Sequence, residues 1–265
     1  MTGREVGAGW AALAALTPAR VGLGRAGASL PTREVLALAL DHARARDAVH
    51  LPFDTEAVAR EIAARGIATL IVASEAEDRA TYLRRPDLGR RLSARSRRTL
   101  GEGKHACEPI VVVIAGGLSS AAVHAHAAPL VDELQRRLDD EGLRAGPFVI
   151  AQQARVALGD EIGELLRADM VILLVGERPG LSSPDSLGAY LTYQPRAGRT
   201  DAERNCVSNI RPAGLSYAEA AHRIAWLARE ALRRRYSGIA LKDESPPLGL
   251  LADGRQRLTG GDHGD

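Results

Sequence analysis

The chain has 265 residues, 35 Lys and Arg against 33 Asp and Glu, a formal net charge of +2 and only 3% aromatic residues. So even a balance lacks the single-sign field of a dedicated nucleic-acid binder. A core nearly free of aromatics must rest on Ala, Val, Leu and Ile, which suits parallel sheets flanked by helices and not an all-β sandwich.

The opening stretch MTGREVGAGWAALAALTPAR is too short and poorly bounded for a secretory hydrophobic region, and no uncharged run is long enough to span a bilayer, so a cytoplasmic chain is expected. Gly22 to Gly27, GLGRAG, fits Gly-x-Gly-x-x-Gly in spelling. A dinucleotide fingerprint needs a buried strand before it and a helix beginning inside it. Here ALTPARV precedes and the helix starts only after Pro31, so an irregular glycine-rich connection is expected. Thr32–Val49 and Thr55–Arg65 read as helices, each opening on a Thr able to cap. TLIVAS, 69–74, is a short apolar piece, and the basic runs Arg84–Arg98 and Arg233–Arg235 read as solvated helix faces with neighbouring carboxylates.

From Pro109 the rhythm changes. PIVVVIAGGLSS is a strand and glycine turn, SSAAVHAHAAPLVDELQRRLDDEG a helix closing at Gly142, and PFVIAQQARVALGDEIGELLRADMVILLVGERPG repeats strand, loop, helix, strand. This alternation predicts βαβ units and an α/β, doubly wound parallel sheet after a mainly helical N-terminal portion. Ser216–Arg235 carries its apolar residues at helical spacing and predicts an amphipathic covering helix. The organisation expected is a helical portion over 1–100, a sheet domain over 101–243 and a flexible tail over 244–265.

Ligand crevices of open α/β sheets lie beyond the carboxyl ends of strands. Three loops leave such ends: GGLSS after Ile114, ARVALGD after Gln153 and GERPGLSSPDS after Val175. Glu177 follows a continuous apolar strand, so its carboxylate needs a partner, either Arg178 or a donor on a ligand. Val156 offers only backbone groups or packing. Cys206 reads as a small buried hydrophobe or a working thiol, and Cys107 and Cys206 lack the spacing of a zinc site or disulfide framework. His124 and His126, two apart on a helix, point to nearly opposite faces and cannot share a metal.

Several ordered strings then accumulate: ARVGLGRAGASLPTREVLALALDHARARDAV, YLRRPDLGRRL, GDEIGELL, ILLVGERPGLSSPDSLGAYLTYQPR and ERNCVSNIRPAGLSYAEAA. Over about Thr17 to Asp243 the chain resembles the small (light) subunit of ethanolamine ammonia-lyase. The resemblance implies a Rossmann-like cobalamin-binding domain and a large TIM-barrel partner subunit that holds ethanolamine and most of the catalytic groups. Adenosylcobalamin is then shared between the two chains of a hetero-oligomer. The implied reaction is radical conversion of ethanolamine to acetaldehyde and ammonia, begun by homolysis of the cobalt–carbon bond. The family's cofactor contacts fall on Val156 of the ARV turn, Glu177 of VGERPG and Cys206 of RNCVSN. No catalytic residue and no metal ligand is expected on this chain, which has no Asp-x-His-x-x-Gly string.

Two departures stand out. Gly116 occupies the position where the family commonly has the Asp of Asp-Gly-Leu-Ser, so any contact of that carboxylate is lost or replaced. Some relatives carry a longer N-terminal extension associated with packaging into a bacterial microcompartment, whereas here the recognisable motif begins close to the N terminus; a cytoplasmic location is expected, with a bacterial microcompartment left open. The competing readings are a self-contained nucleotide-dependent α/β enzyme, from the βαβ rhythm, and an interaction scaffold, from the helical portion and the Arg-rich segment.

Overall fold

The computed structural model describes residues 8–17, 19–103, 105 and 108–248. The elements run α1 Ala8–Ala14, α2 Thr32–His50, α3 Thr55–Ala63, β1 Thr69–Ala73, α4 Arg79–Arg84, α5 Ala94–Glu102, β2 Ile110–Ala115, α6 Ser120–Asp140, β3 Ala145–Gln152, α7 Leu158–Leu165, β4 Met170–Gly176, β5 Leu187–Tyr193, β6 Arg204–Ile210 and α8 Tyr217–Arg234. Cys107 and residues 249–265, most of the expected tail, lie outside the described residues.

Capping chemistry explains most helix boundaries. Asp54, not Thr55, caps α3 by accepting the N–H of Ala57 at 2.9 Å, and α2 begins after Pro31 without a side-chain cap. Ser119 and Ser216 cap α6 and α8 in the same manner. At the far end of α6, Gly142 adopts φ +68°, and the N–H of Leu143 reaches back to Leu138 O at 2.8 Å, a left-handed exit that suits glycine. Gly22–Gly27 forms no helix or strand, as an irregular connection requires. The basic runs meet carboxylates: Arg85 with Asp87, Arg91 with Glu75, Arg97 with Glu161, and Arg233 and Arg234 with Glu230.

The strands form one sheet in the order β1-β3-β2-β4-β5-β6. β1, β3, β2 and β4 are mutually parallel, while β5 lies antiparallel to β4 and β6 antiparallel to β5. The fold class is α/β with helices on both faces of one sheet, but the expectation that the sheet is parallel throughout needs correction, because it is mixed. The physical reason is connection length. Strands β4 and β5 are separated only by residues 177–186 and no helix, whereas a parallel crossover needs roughly a dozen residues or more. The chain therefore turns back beside the strand it has just left. Strand β1, from the mainly helical first part, joins the same sheet as its other edge.

Successive residues of the central strands feed opposite faces. Val112, Ile114, Ile150, Ile172 and Leu174 pack with α3, α6 and α8, while Val111, Val113, Val149, Val171 and Leu173 pack with Leu100 of α5 and with Leu158 and Ile162 of α7. All residues of β2 and β4 are buried, which is why both read as continuous apolar runs. Helix α2 behaves differently: of its nineteen residues only Ala48 is buried, and Leu36 stays 64% exposed.

The antiparallel edge is held by a buried ion pair. Arg204, the first residue of β6, gives Nη1 and Nη2 to the two carboxylate oxygens of Asp160 on α7 at 2.5 and 2.7 Å, with further bonds to Thr192 Oγ1 and Arg199 O. Both side chains are almost fully buried, at 2% and 3% exposure. Removing one partner strands the other charge in a dry site. Asp160→Ala is therefore expected to lower stability by about 3–5 kcal/mol, and Asp160→Asn by less, as read from urea unfolding followed by circular dichroism.

Just before β6, Glu203 accepts the N–H of Thr200 at 2.8 Å and pairs with Arg199. The backbone bond first, and the guanidinium second, hold its carboxyl at about 2 against an ordinary 4.5. A depressed carboxylate stabilises the folded chain above its ordinary pKa and ceases to do so as pH falls toward its folded value. The difference in urea midpoint between wild type and Glu203→Gln should thus be full at pH 6, shrink below pH 4.5 and vanish near pH 2.

Candidate functional site

The three loops singled out from sequence converge. Gly117 and Leu118 after β2, Ala154, Arg155 and Val156 after β3, and Gly176, Glu177 and Arg178 after β4 line an open cleft of about 410 Å³. Strand β2 lies between β3 and β4, so this is the point where successive connections diverge to opposite sides. Tyr82 of α4 and Tyr190 of β5 complete the lining. A second cleft of about 590 Å³ adjoins it, with Arg155 and Val156 on the shared wall.

The loops approach so closely because the strand ends carry no side chains. A Cβ on Gly117, at φ +60°, would stand 2.2 Å from Gly176 O, and one on Gly176 would stand 1.9 Å from Ser119 O. Arg79 then locks the β2 loop: its Nη1 and Nη2 donate to Gly117 O at 2.7 Å and Leu118 O at 3.1 Å, and its Nε to Val49 O at 2.8 Å. The end of α2 is tied by this one side chain to the floor of the cleft. Gly116 is backed by Phe53, whose Cγ would lie 2.7 Å from a Cβ there. Phe53 thus fills the space that an aspartate would need, and no carboxylate can enter at residue 116 without displacing the ring.

The long loop 177–186 is pinned at several points. Its neck is closed by the N–H of Glu177 donating to Ser186 O at 3.0 Å. Ser119 Oγ donates to Pro184 O at 2.9 Å while also capping α6. Asp185 lies between His126 Nε2 at 3.4 Å and Arg211 Nη1 at 3.3 Å, and His126 Nδ1 meets the Tyr217 hydroxyl at 2.8 Å. His124 instead accepts the N–H of Asp54 at 3.2 Å, so the two histidines face different partners.

Glu177 lines the cleft, and its Oε2 accepts the backbone N–H of Asn209 on β6 at 3.2 Å. Among the described residues it forms no ion pair with Arg178, so of the partners considered from sequence the salt bridge is not made. Its other oxygen crowds Gly188, where a Cβ would lie 2.8 Å from Oε1. Val156 reaches the same cleft; its carbonyl accepts the N–H of Gly159 at 3.0 Å, and no acceptor among the described residues takes its own N–H. Two further polar atoms at the end of β3, Gln153 Oε1 and Arg155 Nε, are buried without a partner among the described residues.

Cys206 does not line the cleft. It pairs across the sheet with Tyr190, whose ring does, and is exposed at the surface. Crowding on that face strips hydration and pushes the thiol upward; the hydrogen bond with Tyr190 opposes this and the charge of Glu177 adds to it. The Tyr190 hydroxyl is also pushed up, by burial and then by Cys206. Glu177, Tyr190 and Cys206 therefore form one acceptor-rich patch with neutral donors, and the thiol is not activated as a nucleophile.

Sequence reasoning missed Arg79, Tyr82 and Tyr190. The signal for Tyr190 was available in LGAYLTY, a short, mostly apolar run that reads as a buried strand. No metal-binding cluster of three or more His, Cys, Asp or Glu occurs among the described residues, and none of their helices is long and apolar enough to cross a membrane.

Comparison with known proteins gives this cleft its context. Residues 7–242 match the family described as Ethanolamine ammonia-lyase light chain (EutC). The ethanolamine ammonia-lyase small subunit of Rhodopseudomonas palustris (strain BisA53) is 61% identical over 230 residues, covering 87% of this chain and 88% of that one. Those of Ralstonia nicotianae and Azotobacter vinelandii are each 55% identical, covering 94% and 89% of this chain and 93% and 88% of theirs. The chain belongs to the ethanolamine ammonia-lyase light chain, or small subunit, family.

Proposed function

We propose that this chain is the small subunit of an ethanolamine ammonia-lyase, active with a large TIM-barrel subunit that holds ethanolamine, and that its cleft forms one wall of an adenosylcobalamin site between the two chains. The observation that carries the reading is the convergence of three strand-end loops on one open cleft holding Val156 and Glu177, with Cys206 next to it through Tyr190.

The donor set suits the cofactor. A corrin is ringed by amide side chains, which need acceptors, donors and shape in place of strong charge. Glu177 supplies an acceptor for amide N–H groups, the N–H of Val156 a donor for an amide carbonyl, and Leu118, Val175 and Tyr82 apolar wall. The volume of about 410 Å³ lies at the low end of the roughly 300–1,000 Å³ that encloses a drug-sized ligand. Cobalamin is larger than such ligands, so this chain alone covers only part of it, as a shared site requires. When bound, adenosylcobalamin supplies the radical chemistry that converts ethanolamine to acetaldehyde and ammonia. The residues of this chain bind and orient it and take no proton from the substrate. Helix α2, with Val35, Leu36 and Leu40 each at least half exposed, offers apolar surface for a partner subunit to cover.

Co-expression with a matching large subunit should give acetaldehyde from ethanolamine only when adenosylcobalamin is added, and full activity of either chain alone would overturn the shared site. In that complex Glu177→Ala is expected to raise the apparent KM for adenosylcobalamin by roughly 10–100-fold, with a smaller loss of turnover. An unchanged cofactor KM with lower turnover contradicts the assignment. Gly188→Ala should act in the same direction through the carboxylate it displaces, giving a smaller rise in cofactor KM with the thermal transition retained. Steady-state titration with cofactor at saturating ethanolamine measures both.

A further inference from the structure

Two neighbouring guanidiniums are answered at their terminal nitrogens. Arg204 holds both oxygens of Asp160, and Arg79 spends its three nitrogens on three carbonyls. Arg155 is the exception at the cleft. Its guanidinium carbon stands 4.2 Å from the centroid of the Tyr82 ring, and its one protein acceptor is Tyr82 O, 3.2 Å from Nη2. Its Nε is buried with no acceptor, as are those of Arg137 and Arg204, but unlike them it makes no ion pair among the described residues.

None of the carboxylates lining the two clefts pairs with it among the described residues. Asp160 belongs to Arg204, Glu161 to Arg97 and the N–H of Leu92, and Glu177 to the N–H of Asn209. A second cation, Arg79, stands 4.9 Å from the same Tyr82 ring, so two guanidiniums share one aromatic ring without a counterion. Burial, together with the charge of Arg155, depresses the pKa of Arg79. Such a pair is stabilised by an anion arriving from outside.

Geometry narrows what that anion is. Arg155 precedes Val156 and Ala157, and no acceptor among the described residues takes the N–H of either. A planar guanidinium beside free main-chain N–H groups is the donor set of a phosphate oxygen cradle. Resting on the cobalamin reading above, we propose that Arg155 binds the phosphodiester of the cofactor's nucleotide loop, the one free anionic group that cobalamin carries. Arg155 then fixes which side of the corrin faces this chain, while Glu177 meets the amide rim.

Cobinamide, which lacks the nucleotide and its phosphodiester, separates the two roles. Equilibrium dialysis of the two-subunit complex against cyanocobalamin and against dicyanocobinamide reads each affinity from corrin absorbance. Arg155→Ala should weaken cyanocobalamin by roughly 10–100-fold and cobinamide by less than about twofold, with Arg155→Lys in between because it keeps charge and loses the fork. Glu177→Ala should weaken both corrins alike. Equal losses of both corrins in Arg155→Ala, or none, overturn the assignment. So does a loss confined to AMP, which would mark a site for a free nucleotide. If Arg155→Ala does not assemble, Arg155→Lys decides the matter by the same selectivity. A wild-type complex that retains no cyanocobalamin refutes the cofactor reading itself, an outcome distinct from a wild type that binds and an Arg155 variant that does not discriminate.

Discussion

Everything at the candidate site depends on the backbone of β2 and the backbone of β4 touching where the strands end. The N–H of Leu118 donates to Gly176 O at 2.9 Å, and side chains are absent at Gly117 and Gly176 because any Cβ would meet main-chain atoms. With those loops drawn together, Glu177 emerges above the floor of the cleft and not beside it. The constraint is expensive in chain entropy, and the structure reinforces it: Arg79 ties the β2 loop from one side, Ser119 and Ser186 tie the β4 loop from the other. A site whose polar groups come from three loops gains precision only when each loop is held by such contacts.

The same molecule shows two ways of treating a guanidinium. Arg204 is neutralised within the protein and serves architecture: it fastens the antiparallel edge to α7 and so positions β5 and β6, from which Tyr190 and the Asn209 N–H reach the cleft. Arg155 is stacked on Tyr82 and left without a carboxylate. The architectural pair lies on the wall of the neighbouring cleft, which Arg155 also lines. Paired and unpaired cations thus sit side by side, and the difference between them is whether the counter-charge is part of the fold.

Much of the fold was legible in sequence because burial writes itself as pattern. The uninterrupted apolar runs of β2 and β4, the helical spacing of α8 and the glycine exit of α6 are each a direct trace of a local physical demand. The direction of β5 was legible only by counting: ten residues without a helix cannot carry a parallel crossover, and the strand–helix rhythm of the preceding units hid that count. At the site, Glu177 announced itself as a carboxylate after an apolar strand. Val156 could not, since a valine that matters through its main chain has no signature of its own. Arg79 lies 38 residues before the loop it ties, and Tyr82 lies 72 residues before the Ala154 carbonyl it meets. Their roles arise from tertiary contacts that no local pattern records.

The mixed sheet also bears on how the cleft is bounded. In an all-parallel sheet, a helix following β4 would pack on a face of the sheet and flank the crevice with its first turn. Here the chain spends those residues on the loop 177–186 and turns back into β5, so the space above the strand ends stays open. Glu177, Val156 and Tyr190 line this open cleft. On the proposed cobalamin reading, exclusion of water would come from outside this chain, and a partner subunit would supply the cover that loop 177–186 does not.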